Sequence, residues 1–73
     1  MKDLIEKTIS VALASGLPVK IIYQGKKGIT QRVIEIKNIE RDRVVAYCRL
    51  KRRISTFKIG SMLAAEIIYK KNQ

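Results

Sequence analysis

The tripeptide Gly16-Leu17-Pro18 divides this chain into two regimes of hydrophobic periodicity, and that division limits the fold more than any other feature. Before it, Leu4, Ile5, Ile9, Ala12 and Leu13 recur at helical spacing and form one apolar stripe. The spacing predicts a helix over residues 3–15. Asp3 and Glu6 give an Asp-x-x-Glu start that approximates a capping box, and their charges suit the positive end of a helix. Gly16 suits the left-handed residue that closes a helix, and Pro18 stops continuation. A single apolar stripe must be buried, so the helix is expected to lie across whatever follows it.

From Val19 onward only short β segments are legible. Val19–Tyr23 is rich in β-branched residues, and Gln24-Gly25-Lys26-Lys27-Gly28 reads as a charged hairpin loop. Ile29–Ile39 is a longer strand candidate in which Val33 and Ile34 break the alternation, so a bulge or bend is expected there. Glu40-Arg41-Asp42 is the next turn. Arg43–Leu50 places Val44, Ala46, Cys48 and Leu50 on one face, and Val45, Tyr47 and Arg49 on the other. Lys51-Arg52-Arg53 is a basic turn, Ile54–Ile59 a further strand, and a closing strand runs through Ile67 and Ile68. The fold class expected is therefore α+β, mostly β: an N-terminal helix, then a small antiparallel SH3-like (Sm-like) barrel of four or five strands. Its expected core is Ile5, Ile9, Leu13, Ile21, Ile34, Ala46, Cys48, Leu50, Phe57 and Ile59.

With 73 residues there is room for one domain and one modest core. No apolar run approaches the roughly 20 residues that span a bilayer. The N-terminus lacks a signal-peptide core, and Cys48 is the single cysteine, so a reducing cytoplasm is expected, with no membrane partner. The charge balance points to a partner. Sixteen Lys and Arg face six Asp and Glu, a formal net charge of +10, which favours polyanions by counterion release.

Catalysis finds little to work with. The chain has no histidine, so a zinc site or a His-activated nucleophile is effectively excluded. Glu35, Glu40, Asp42 and Glu66 are scattered, and the Gly25–Gly28 loop lacks the Gly-Lys-Ser/Thr ending and following helix of a phosphate loop. A binding module is expected, not an enzyme, with no cofactor. Around one hairpin, Arg49, Lys51, Arg52, Arg53 and Lys58 cluster with Tyr47 on the Arg49 face. Single-strand binders combine such a basic surface with stacking aromatics.

The stretch Ala46-Tyr47-Cys48-Arg49-Leu50, followed by Thr56-Phe57, resembles the second half of the WYL-domain family, commonly Ala-Tyr-Cys-x-Leu-Arg and then Arg-Thr-Phe-Arg-Leu-Asp-Arg-Ile. Val19–Tyr23 and Thr30-Gln31-Arg32-Val33-Ile34 are similar to that family's first strand and its Arg-x-Ile strand. The naming tripeptide would fall on Asp42-Arg43-Val44 and is absent. Ser55 stands where an arginine is usual, Lys58 where another is, Ile36 where a proline is, and Gly60-Ser61 where the final Asp and Arg are. The resemblance is to a divergent, free-standing member. It implies an SH3-like barrel that binds a ligand, in several members a single-stranded nucleic acid, within bacterial transcription regulators.

Together these readings place single-stranded nucleic acid, or another polyanion, on Arg32, Tyr47, Arg49, Lys51, Arg52, Arg53 and Lys58. Tyr23, Tyr69 and Cys48 are read as structural, and Phe57 as core in preference to a stacking platform. The alternative is a small self-associating interaction module, a homodimer formed through a strand edge or the helix.

Overall fold

The structure, a computed structural model, describes residues 2–69. Helix α1 spans Lys2–Ser15 and stops as its sequence requires. Gly16 adopts φ +75° and donates its N–H to the Ala12 carbonyl at 2.8 Å, closing the last turn before Pro18. Five antiparallel strands follow: β1 Val19–Gly25, β2 Gly28–Glu40, β3 Arg43–Cys48, β4 Arg53–Lys58 and, after a 3-10 turn at Ile59–Ser61, β5 Met62–Ile67. They form one sheet in the order β4-β3-β2-β1-β5, so β5 returns across the sheet to pair with β1. The result is the mostly β, barrel-like globule with a leading helix that the change of periodicity implies.

One face of the sheet carries the core. Val19, Ile21, Ile34, Val44, Ala46 and Cys48 are fully buried there, joined by Phe57, Ile59 and Met62. Each fully buried Ile or Val contributes about 1.5–3 kcal/mol relative to exposure. The helix covers this core along β2, β5 and the 3-10 turn, and its own buried contribution is Ile9 and Ala12, with Ile5 partly buried against them.

Three apolar residues depart from the expected burial. Leu4 is 65% and Leu13 37% exposed, because the helix buries only the narrow line through Ile5, Ile9 and Ala12. Leu50 is 67% exposed. Strand β3 ends at Cys48, the chain curls through Arg49–Arg52, and the alternation that would have turned Leu50 inward stops two residues too early. The bulge in β2 also lies elsewhere. Val33 and Ile34 are adjacent because both faces of β2 are apolar at that point: Ile34 is buried in the core and Val33 half-buried on the outer face. The register shift falls between Ile36 and Asn38, leaving Lys37 unpaired opposite β3. It lets both Ile36 and Ile39 pack on the core despite their odd spacing. No helix among the described residues is long and apolar enough to cross a membrane.

Candidate functional site

Along β2 the core has two ends, and only one is covered by the helix. Near Ile39 the helix packs beside it, where Glu6, Ile9 and Ser10 border a smaller pocket of about 210 Å³ with Ile39 and Ile59. At the other end, where β2 begins, the β1–β2 hairpin, β4 and the turn after β3 enclose an open cleft of about 390 Å³. The register explains its composition. Thr30 pairs with Tyr23 and Arg32 with Ile21, so Thr30, Arg32 and Tyr23 all stand on the core-bearing face. Ser55 pairs with Ala46 and Phe57 with Val44, which places Ser55 and Phe57 on the same face from the other side.

The floor is aromatic. Tyr23 and Phe57 meet edge to face, with ring centroids 5.2 Å apart and planes at 88°. The Tyr23 hydroxyl accepts the backbone N–H of Lys58 at 3.0 Å, which ties β1 to β4 across the opening. The walls are cationic: Lys26, Lys27, Arg32 and Lys51 line the cleft, with no acid among its lining residues. The ion pairs of the described residues lie elsewhere, at Lys20–Glu66, Arg43–Asp42 and Arg49–Glu35. Like charges converging on a half-enclosed, partly apolar space focus positive potential into it.

Arg32 is the best fixed of the four. Its Nε donates to Thr30 Oγ1 at 3.3 Å and its Nη1 to Cys48 Sγ at 3.7 Å, so neutral acceptors orient the guanidinium without cancelling its charge. Cys48 responds in turn. Burial pushes its thiol up, but hydrogen bonds from the Lys51 backbone N–H, from Arg32 and from the Leu50 backbone N–H, with the Arg32 charge, outweigh it and leave the thiol below its ordinary pKa.

The residues expected to bind do not form one surface. Arg32 and Lys51 line the cleft. Arg53 pairs with Cys48 at the same end, and Arg52 closes the turn in the left-handed region at φ +58°, donating its N–H to the Cys48 carbonyl at 2.7 Å. Tyr47, Arg49 and Lys58 belong to the outer face. Tyr47 pairs with Glu35 and Ile54, and Lys58 pairs with Arg43, both one step out of phase with the buried positions. Arg49 Nε donates to Glu35 Oε2 at 3.0 Å on that outer side.

The sequence reading passed over Tyr23, Lys26, Lys27, Thr30 and Ser55 as site residues. The signal that finds them is pairing register: a tight hairpin at Lys26-Lys27 forces Thr30 opposite Tyr23 and aims both lysines over the face where Arg32 stands. Ser55, where the family resemblance leads one to expect an arginine, lies in the cleft wall and presents a short hydroxyl instead of a long cation.

No protein-family model matches the chain, and no curated protein matches it. Among solved structures, proteasome accessory factor B/C (PafBC) of Arthrobacter aurescens superposes with a TM-score of 0.82 over 90% of this chain, at 18% identity. The matched stretch is 11% of that much longer protein. The likeness is one of fold, and it agrees with the helix-and-barrel arrangement that the WYL resemblance implies.

Proposed function

We propose that this chain is a divergent WYL-like regulatory module that binds single-stranded nucleic acid in the cleft at the helix-free end of its barrel. The observation that carries the reading is the cleft's lining: Lys26, Lys27, Arg32 and Lys51, no acid, and an aromatic floor of Tyr23 and Phe57. Phosphates would be met by the cations and a base by the apolar floor, the combination that sequence-tolerant single-strand binders use. Arg52 and Arg53 extend the basic surface beyond the cleft mouth. Arg49 is engaged with Glu35, and Lys58 and Tyr47 face outward, so they contribute long-range attraction more than contact.

A charge-matched pair of variants tests this. Arg32→Gln with Lys51→Gln should flatten the log–log salt dependence of oligo(dT) binding by about 1.4, at about 0.7 per lost phosphate contact. Arg49→Gln with Lys58→Gln removes the same formal charge and should change the slope by less than half of that. Equal effects from the two pairs would refute a cleft site and leave only the diffuse attraction of a +10 protein.

A second reading rests on the two sheet edges, which differ. Edge strand β4 is bracketed by Arg53 and Lys58, whereas β5 (Met62-Leu63-Ala64-Ala65-Glu66-Ile67) carries one charge. Leu63 is 50% exposed and shares a groove with Leu4. Asp3, Glu6 and Glu66, half of the chain's six acids, lie on the helix and β5, so two copies would repel least there. Self-association through β5 predicts a dimer by sedimentation that Leu63→Lys converts to monomer. A wild type that stays monomeric at high concentration removes this reading.

A further inference from the structure

Cys48 is the chain's single cysteine and is fully buried. The cation of the cleft with the most fixed geometry is held by it: Arg32 donates Nη1 to Cys48 Sγ and Nε to Thr30 Oγ1. The thiol packs among apolar core residues, and the polar groups that act on it are donors or cations. Arg32 reaches it from β2, Arg53 pairs with it on β4, and the Lys51 and Leu50 backbone N–H groups of the turn favour its charged form. Among the described residues no carboxylate makes an ion pair with Arg32. We propose that Cys48 positions Arg32 for an incoming anion and, as a thiolate, competes with that anion for it, so that one buried thiol sets the anion affinity of the cleft. This rests on the cleft being the binding site and adds a means of regulating it.

The neutral thiol is a weak acceptor, so the Arg32 guanidinium keeps almost its whole charge for the cleft while remaining aimed. Loss of the thiol proton places a negative charge against the same guanidinium, in a part-buried setting that water screens less than the open surface. Affinity for an anion should then fall as pH rises through the Cys48 titration, which burial raises but the turn's backbone N–H groups and Arg32 together hold below the ordinary cysteine value. Linkage requires the converse: a bound anion that engages Arg32 must raise the pH at which Cys48 loses its proton.

Two measurements separate this from the nucleic-acid reading. The first needs no ligand. Thiolate absorbance of the free protein, which only Cys48 can give, is titrated in wild type, Arg32→Lys and Arg32→Met. Wild type should titrate below an ordinary cysteine, Arg32→Met clearly higher and Arg32→Lys between them. The Arg32→Lys variant keeps a charge in place should Arg32→Met fold poorly. Equal midpoints in folded wild type and either variant would overturn the coupling.

The second is oligo(dT) affinity from about pH 6.5 to about pH 9 at fixed salt, bracketing ordinary cysteine titration. Wild type should weaken by about fivefold or more across the thiol titration, the lower bound of typical site coupling. Cys48→Ala and Cys48→Ser should show only the small drift that all three share from the terminal amine. A wild-type profile reproduced by Cys48→Ala overturns the competition. If wild type binds no oligo(dT) at any pH, the nucleic-acid reading fails. Sulfate then replaces it as probe: an upward shift of the Cys48 midpoint with added sulfate supports the competition, and no shift ends it.

Discussion

Ile34→Ala is expected to lower the unfolding free energy by about 2–5 kcal/mol, the range for truncating a fully buried aliphatic side chain. Ile34 is the residue of β2 that joins both halves of the sheet, pairing with Val19 on β1 and Cys48 on β3, and no part of it reaches solvent. A domain of 73 residues has roughly 4–11 kcal/mol in total at 0.05–0.15 kcal/mol per residue, so this substitution removes a large share. Leu50→Ala, which deletes a comparable aliphatic side chain, should stay within about 0.5 kcal/mol because Leu50 stands on an exposed turn. Urea unfolding followed by circular dichroism gives both numbers. Comparable losses would mean that Leu50 packs in the core and that β3 continues past Cys48.

The second large effect concerns binding. Replacing Lys26, Lys27 and Lys51 together with alanine is expected to reduce the salt slope for single-stranded oligonucleotides by about 2, at about 0.7 per phosphate released. Between about 50 and 200 mM salt, wild type should then lose about 20-fold more affinity than the triple variant. These lysines are exposed and line the cleft without ion-pair partners among the described residues, so their loss should leave the unfolding free energy nearly unchanged. An unchanged slope would place the nucleic acid elsewhere on the molecule. The comparison also tests the register argument, since Lys26 and Lys27 enter the site only through the pairing of β1 with β2.

Local pattern was sufficient for the elements themselves. The stripe through Ile5, Ile9 and Ala12, the left-handed Gly16 and Pro18 set the helix and its end. The alternation Val44-Ala46-Cys48 chose the buried face of β3, because a strand whose side chains alternate has only two ways to face a core. The parity of Phe57 with its neighbours likewise put it inward. Pattern misled where an element ended or slipped. Leu50 continues the alternation in sequence but not in space, and the bulge sits at Lys37, signalled by the spacing of Ile36 and Ile39 and not by the adjacency of Val33 and Ile34.

The sequence by itself determined the class of fold, most of the core and the excess of positive charge, because each follows from short-range periodicity or from composition. Which charges act together was decided only by tertiary structure. Arg49 and Lys51 are two residues apart, yet one pairs with Glu35 on the outer face while the other borders the cleft. Lys26 and Lys51 are far apart in the chain and share one cavity. The antiparallel register of β1 with β2 and of β3 with β4 makes that choice, since a shift of one residue would turn Thr30, Arg32 and Ser55 to the opposite face and leave no cleft. Register is fixed by burying Ile21, Ile34, Cys48 and Phe57 together, a condition that spans the whole chain and that no local stretch contains.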